Sequence, residues 1–142
     1  MRLTGIHHHS VQVTDLERAA HFYRDILGLR EIPSPSNFPN PVRWFELGDQ
    51  HLHCMLAPEP DRIGPRHVAL HVDDAQAARE YLRSRGVEIE ETWAIAGADR
   101  FMIRDPDGNR IEIIQWFRRW DEESERVLGV PAPGARGAWP PR

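Results

Sequence analysis

The chain has 142 residues, 40% of them hydrophobic and 28% charged, enough for one compact domain with a buried core. A formal net charge of −4 provides no basic face for nucleic acid and no polybasic segment for a membrane surface. No apolar run reaches membrane-spanning length, the N-terminus lacks a signal-peptide layout, and a lone Cys54 excludes an internal disulfide framework, so a cytoplasmic protein is expected.

The first predicted strand runs from Leu3 to Val13, where Val11 and Val13 alternate with Ser10 and Gln12. Asp15 is placed to cap a helix whose apolar positions, Leu16, Ala19, Phe22, Tyr23 and Ile26, recur at helical spacing, and Gly28 closes it. A short strand at 29–32 precedes a Pro- and Asn-rich loop, Pro33 to Pro41. Strands at 42–47 and 51–56 follow, joined at Gly48-Asp49-Gln50. The loop Ala57 to Pro65 links this half to a second that repeats the plan. A strand at 66–72 leads to a helix capped by Asp73 or Asp74, with Ala75, Ala78, Tyr81 and Leu82 facing inward and Gly86 at its end. Strands at 87–90, 100–104 and 109–116 complete the half, the last two joined by the turn Asp105-Pro106-Asp107-Gly108. The order β-α-β-β-β, twice, predicts an α+β fold with helices outside mixed or antiparallel sheets. The domain is expected to span 1–120, in modules of about 3–57 and 66–117, with a Pro/Gly-rich tail at 121–142 that lies on the surface or is disordered.

The two halves share more than their order of elements. His8, Val13, Asp15, Ala19, Phe22 and Arg24 are matched 59 residues later by His67, Val72, Asp74, Ala78, Tyr81 and Arg83. The same offset pairs His53 with Glu112, so His8, His53, His67 and Glu112 occupy two pairs of equivalent positions. Three imidazoles and a carboxylate suit a divalent transition ion. Strand alternation places each on the more polar face: His8 with Ser10 and Gln12, His53 with His51 and Met55, His67 with Ala69 and His71, Glu112 with Arg110 and Ile114. A half-wet sheet accounts for a polar face, but its usual residues are Lys, Glu and Thr rather than His. Two histidines and one carboxylate leave coordination positions open to substrate; His53 as a fourth ligand leaves fewer.

The stretch His8-His9-Ser10-Val11-Gln12-Val13-Thr14-Asp15-Leu16, with Phe22-Tyr23-Arg24-Asp25-Ile26-Leu27-Gly28-Leu29, Arg66-His67-Val68-Ala69-Leu70-His71-Val72 and Asp105-Pro106-Asp107-Gly108-Asn109-Arg110-Ile111-Glu112, resembles the vicinal oxygen chelate superfamily of glyoxalases, bleomycin resistance proteins and dioxygenases. The resemblance implies two tandem βαβββ modules forming a cup-shaped, barrel-like sheet around a metal, and a homodimer with sites shared between subunits. It implies His8, His67 and Glu112 as metal ligands, and Glu112 as the base if the reaction is proton transfer. At the position of His53, glyoxalase I of this kind carries a glutamate.

The expectation is therefore a metal-dependent lyase or isomerase of the glyoxalase type, or an extradiol-type dioxygenase, acting on a small molecule chelated through vicinal oxygens. The cofactor is an Fe, Ni, Zn or Mn ion. A metal-free binding protein of the bleomycin-resistance type is the competing class. His71, on the cup face beyond His67 and Ala69, is the candidate proton carrier, and Gln12 is its equivalent in the first half. His7 and His9 are expected to point away from His8. Arg43, Arg104 and Arg110 are candidates for an anionic substrate group, Trp44 and Phe101 for the cavity wall, and Cys54 is expected to be structural.

Overall fold

The computed structural model describes residues 1–62, 64–95, 97–118, 123 and 126. Most of the tail expected at 121–142 lies outside the described residues. In chain order the elements are β1 (His8–Val13), α1 (Leu16–Ala20) continuing as a π-helical turn (His21–Ile26), β2 (Arg30–Ile32), β3 (Val42–Leu47) and β4 (Gln50–Leu56), then β5 (Val68–His71), α2 (Ala75–Ser84), β6 (Glu90–Glu91), β7 (Ala98–Arg104) and β8 (Arg110–Trp116). Two tandem βαβββ modules result, each with one four-stranded mixed sheet, ordered β1-β4-β3-β2 and β5-β8-β7-β6. The sheets form an open cup rather than a closed barrel. In both, the first strand runs parallel to the last, and the remaining pairs are antiparallel.

Strand alternation decides which face is covered. Val11, Val13, Leu52 and Cys54 of the first sheet, and Leu70, Phe101, Ile103, Ile111 and Ile113 of the second, join Ala19, Phe22, Tyr23, Ala75 and Leu82 in one core. Asp15 caps α1 by accepting from the Glu17 and Arg18 amides at 2.9 and 3.0 Å, and Asp74 rather than Asp73 caps α2 by accepting from the Ala77 amide. Gly28 and Gly86 leave the two helices at φ +76° and +77°, the left-handed conformation that favours glycine.

Four elements depart from expectation. Strand β1 begins at His8, not Leu3, since Leu3 and Ile6 are exposed and have no neighbouring strand to pack on. The end of the first helix is π-helical, with the Leu27 amide bonded to the Phe22 carbonyl at 2.9 Å. The strand expected at 87–90 is reduced to Glu90–Glu91. Tyr81 faces outward at 48% exposure, its hydroxyl donating to the Ile26 carbonyl, and Arg79 takes the inner position on α2.

The π-helical turn has its cause in the repeat. The offset between modules is 59 as far as Arg24 and Arg83 but 58 at Gly28 and Gly86, so the first helix holds one residue more. The pairings Ile32↔Trp44 and Glu90↔Met102 keep the offset at 58. It returns to 59 at the last strands, since a two-residue turn joins β3 to β4 but Asp105, paired with Asn109, spans three.

The modules are clasped at that longer turn. Thr14 donates through its hydroxyl and amide to Asp107 Oδ1 at 2.5 and 3.2 Å, where Arg18 also donates. Asn109 donates to the Gln12 carbonyl at 2.8 Å, and the Tyr23 hydroxyl donates to Asp105 Oδ2 at 2.8 Å. Burial and the neighbouring Asp105 charge push the Tyr23 phenol well above its ordinary pKa, so it remains a donor.

Candidate metal centre

The open faces of the two sheets carry the candidate ligands as two separate pairs. On the first sheet, register sets Ser10 beside His53 and His8 beside His51. The rings of His8 and His53 stack with centroids 4.3 Å apart. Trp44 is directly opposite His53 across β3 and β4, and directly opposed residues share a face. Its indole lies on the His53 ring at 4.1 Å and 2°, so His53 is held between two rings. His53 is 6% exposed, and its Nε2 is buried without a hydrogen-bond partner. Burial, followed by repulsion from His8, His51 and His7, lowers its pKa to about 4, so the ring is neutral at physiological pH with a lone pair available.

The second pair lies on the open face of the second module's sheet. The last strand sets Glu112 between Ala69 of β5 and Met102 of β7. His67 stands one residue before β5, and its Nδ1 lies 2.9 Å from the Pro65 carbonyl. A carbonyl only accepts, so Nδ1 carries the proton. Nε2 lies 3.0 Å from Glu112 Oε2. With Nδ1 donating, Nε2 and the carboxylate both present lone pairs to one point, an arrangement that calls for a proton or a metal cation there. Glu112 is 6% exposed, and its other oxygen, Oε1, accepts from Arg100 Nη1 at 2.5 Å.

The four residues do not converge within one chain. Among the described residues, no group of three or more His, Cys, Asp or Glu is arranged to hold a metal ion. His71 is exposed at the end of β5 beside Ile114. His7 departs from expectation: its Nδ1 lies 2.9 Å from His8 Nδ1, and its ring is 4.9 Å from that of His51. It precedes the strand, so alternation does not govern it. His9 lies on the opposite side, lining a cavity with Ser10, Arg66, His67 and Arg110. Burial, with the His67 and His8 charges, lowers its pKa.

Arg43 is held by Glu17 and Glu31, and Arg104 by Glu90. Phe101 is fully buried in the core beneath Arg79, whereas Trp44 does border the candidate site. Burial raises the pKa of the Cys54 thiol, which accords with a structural side chain. Arg100 was absent from the expected set. It shares a face of β7 with Met102, which stands directly opposite Glu112, a relation that only the register of β7 against β8 reveals.

Paired βαβββ modules with histidines and a carboxylate at equivalent places on their cup faces define the glyoxalase-like class of small-molecule proteins. The chain belongs to the Glyoxalase/Bleomycin resistance protein/Dioxygenase superfamily, whose model matches residues 5–113. A lactoylglutathione lyase from Haemophilus influenzae is 28% identical over 121 residues, covering 76% of this chain and 90% of the relative. A solved glyoxalase family protein from Bacillus anthracis superposes with a TM-score of 0.76 at 28% identity, covering 82% of this chain and 98% of that one. An antibiotic binding protein from a Streptomyces species superposes with a TM-score of 0.65 at 25% identity, covering 82% and 98%.

Proposed function

We propose that the protein is a metal-dependent enzyme of the glyoxalase/dioxygenase type, acting on a small substrate held through two vicinal oxygens. The observation that carries this reading is the His67–Glu112 pair, whose Nε2 and Oε2 meet at 3.0 Å with Nδ1 already donating to a carbonyl. The partnerless buried Nε2 of His53 adds a second donor that suits a borderline metal such as Fe²⁺, Ni²⁺, Zn²⁺ or Mn²⁺. His8, His67 and Glu112 hold the ion in this reading, with His53 as a fourth ligand. Because each chain presents two ligands on each of two sheets, the complete set comes from one sheet of each subunit of a homodimer.

When bound, a divalent ion supplies a Lewis acid that stabilises negative charge on the substrate oxygens. The chain's own groups do the rest. Trp44 fixes the plane of His53 and keeps water from one side of it. Pro65 fixes the tautomer of His67. In this reading His71, exposed at the end of β5 two residues past the neighbour of Glu112, is the proton carrier, and Glu112 is the base if the reaction is a proton transfer.

Elemental analysis of protein purified without a chelator or a nickel column tests this reading. About one Fe, Ni, Mn or Zn per site is expected, with nearly all of it lost in His67→Ala. Full metal content in that variant refutes the ligand assignment. A metal-free binding protein is the second reading. It is favoured by the likeness to an antibiotic binding protein. A protein that takes up none of the ions offered in turn belongs to that class.

A further inference from the structure

Arg100 is a buried cation on the cup face that the proposed ligand set does not use. Its side chain is 11% exposed, and arginine is rarely so enclosed unless its charge is partnered. The partnering here is incomplete. On β7, Arg100 stands opposite Ile114, one step diagonally from Glu112, and Nη1 spans that diagonal to Oε1 at 2.5 Å. Nη2 makes a single long bond, 3.2 Å, to the Trp93 carbonyl. Nε is buried with no partner.

Those two nitrogens form the edge of a guanidinium that grips a carboxylate through two parallel hydrogen bonds. A buried donor left unmatched is costly and is uncommon in folded proteins, so an acceptor is expected there. Trp93 lies over the guanidinium at 5.2 Å and is itself 42% exposed, so the cation is roofed by an aromatic ring that reaches solvent. Arg43 and Arg104, by contrast, have their forks engaged by Glu17, Glu31 and Glu90.

We propose that Arg100 receives an anionic carboxylate of the substrate on its Nε/Nη2 edge, which makes the substrate a small 2-oxo or 2-hydroxy carboxylate. This rests on the reading of the cup as the reaction site. In such a molecule the 2-oxygen and one carboxylate oxygen form the vicinal pair, and the second carboxylate oxygen is left to accept from Nε and Nη2 together. Entry of the anion exchanges the long Trp93 carbonyl contact for two charge-assisted bonds.

The test is calorimetric titration of pyruvate, and of its neutral isostere pyruvamide, into the protein as purified and into Arg100→Met and Arg100→Lys. Pyruvate binding is expected to weaken about tenfold or more in Arg100→Met and less in Arg100→Lys, with pyruvamide bound equally by all three. Pyruvate is also expected to change the fluorescence of the wild type and to leave Trp93→Phe largely unresponsive, a readout that survives if Arg100→Met fails to fold. Equal pyruvate affinity in wild type and Arg100→Met, or no binding or fluorescence response in the wild type, overturns the proposal. Metal content is measured on every sample. Metal lost with Arg100→Met overturns the proposal too, because Arg100 then acts by positioning Glu112. A metal-free wild type that still prefers pyruvate through Arg100 refutes the metal reading and leaves the anion site standing.

Discussion

Four donors surround the buried carboxylate of Asp105: the Tyr23 hydroxyl, the amides of Asp107 and Asn109, and the Asn109 side chain, at 2.7–2.9 Å. All but the first come from its own turn, so Tyr23 is the link that reaches across from the first module. Removing that hydroxyl leaves the ring's packing intact and takes one donor from a buried anion. Tyr23→Phe is expected to cost about 1–3 kcal/mol of stability, read from the denaturant midpoint at unchanged slope. An unchanged midpoint would mean that water replaces the hydroxyl. At this scale strand parity puts His8, His53 and Glu112 on the open faces where the sequence expects them, and His67, one residue before β5, is set beside Glu112 by its contact at 3.0 Å. Sequence reasoning passed over Arg100 because a diagonal contact depends on the register of β7 against β8, which no local pattern carries.

Between elements, Arg79 ties α2 to β6 and β7. It donates to Glu91 at 2.9 and 3.1 Å and to Asp99 at 2.7 and 2.8 Å, with its guanidinium 4.5 Å from the Phe101 ring centroid. The Arg79 hydrogen bonds hold the Asp99 pKa below its ordinary value. A carboxylate depressed in the folded state contributes stability in full above the unfolded value, near pH 4, and loses it as pH falls through the folded one. Asp99→Asn is therefore expected to flatten the acid limb of the stability curve below about pH 4. The contribution is expected to be under about 1 kcal/mol at neutral pH, since Asp99 is 38% exposed. Parallel acid limbs in denaturation series from about pH 6 to pH 3 would exclude this role. The helices and the strands β3 and β4 were legible in periodicity and capping. The place of Arg79 was not: a charged residue on the inner face reads as an exposed one until its two carboxylates, on strands far along the chain, are seen.

The whole molecule presents two half-sets of candidate ligands that share no metal-sized group among the described residues. If a homodimer completes them, two variants broken in different modules repair each other. Mixing His8→Ala with His67→Ala under exchange conditions places one doubly damaged and one intact site in every mixed dimer. Metal content is then expected to recover to about a quarter of the wild-type value. No recovery, with exchange verified by mass, would place each complete set within a single chain.

The single extra residue in the first helix bears on how such a molecule can diverge. One residue added to a regular α-helix turns everything after it by about 100°. Widening the helix over His21–Ile26 confines the surplus, and the longer turn Asp105–Asn109 removes the remaining mismatch before the last strands. Two changes in length, one in each copy of an ancestral repeat, thus cancel at His53 and Glu112. The equivalent positions of the two sheets therefore stay in register although the halves differ in length between them.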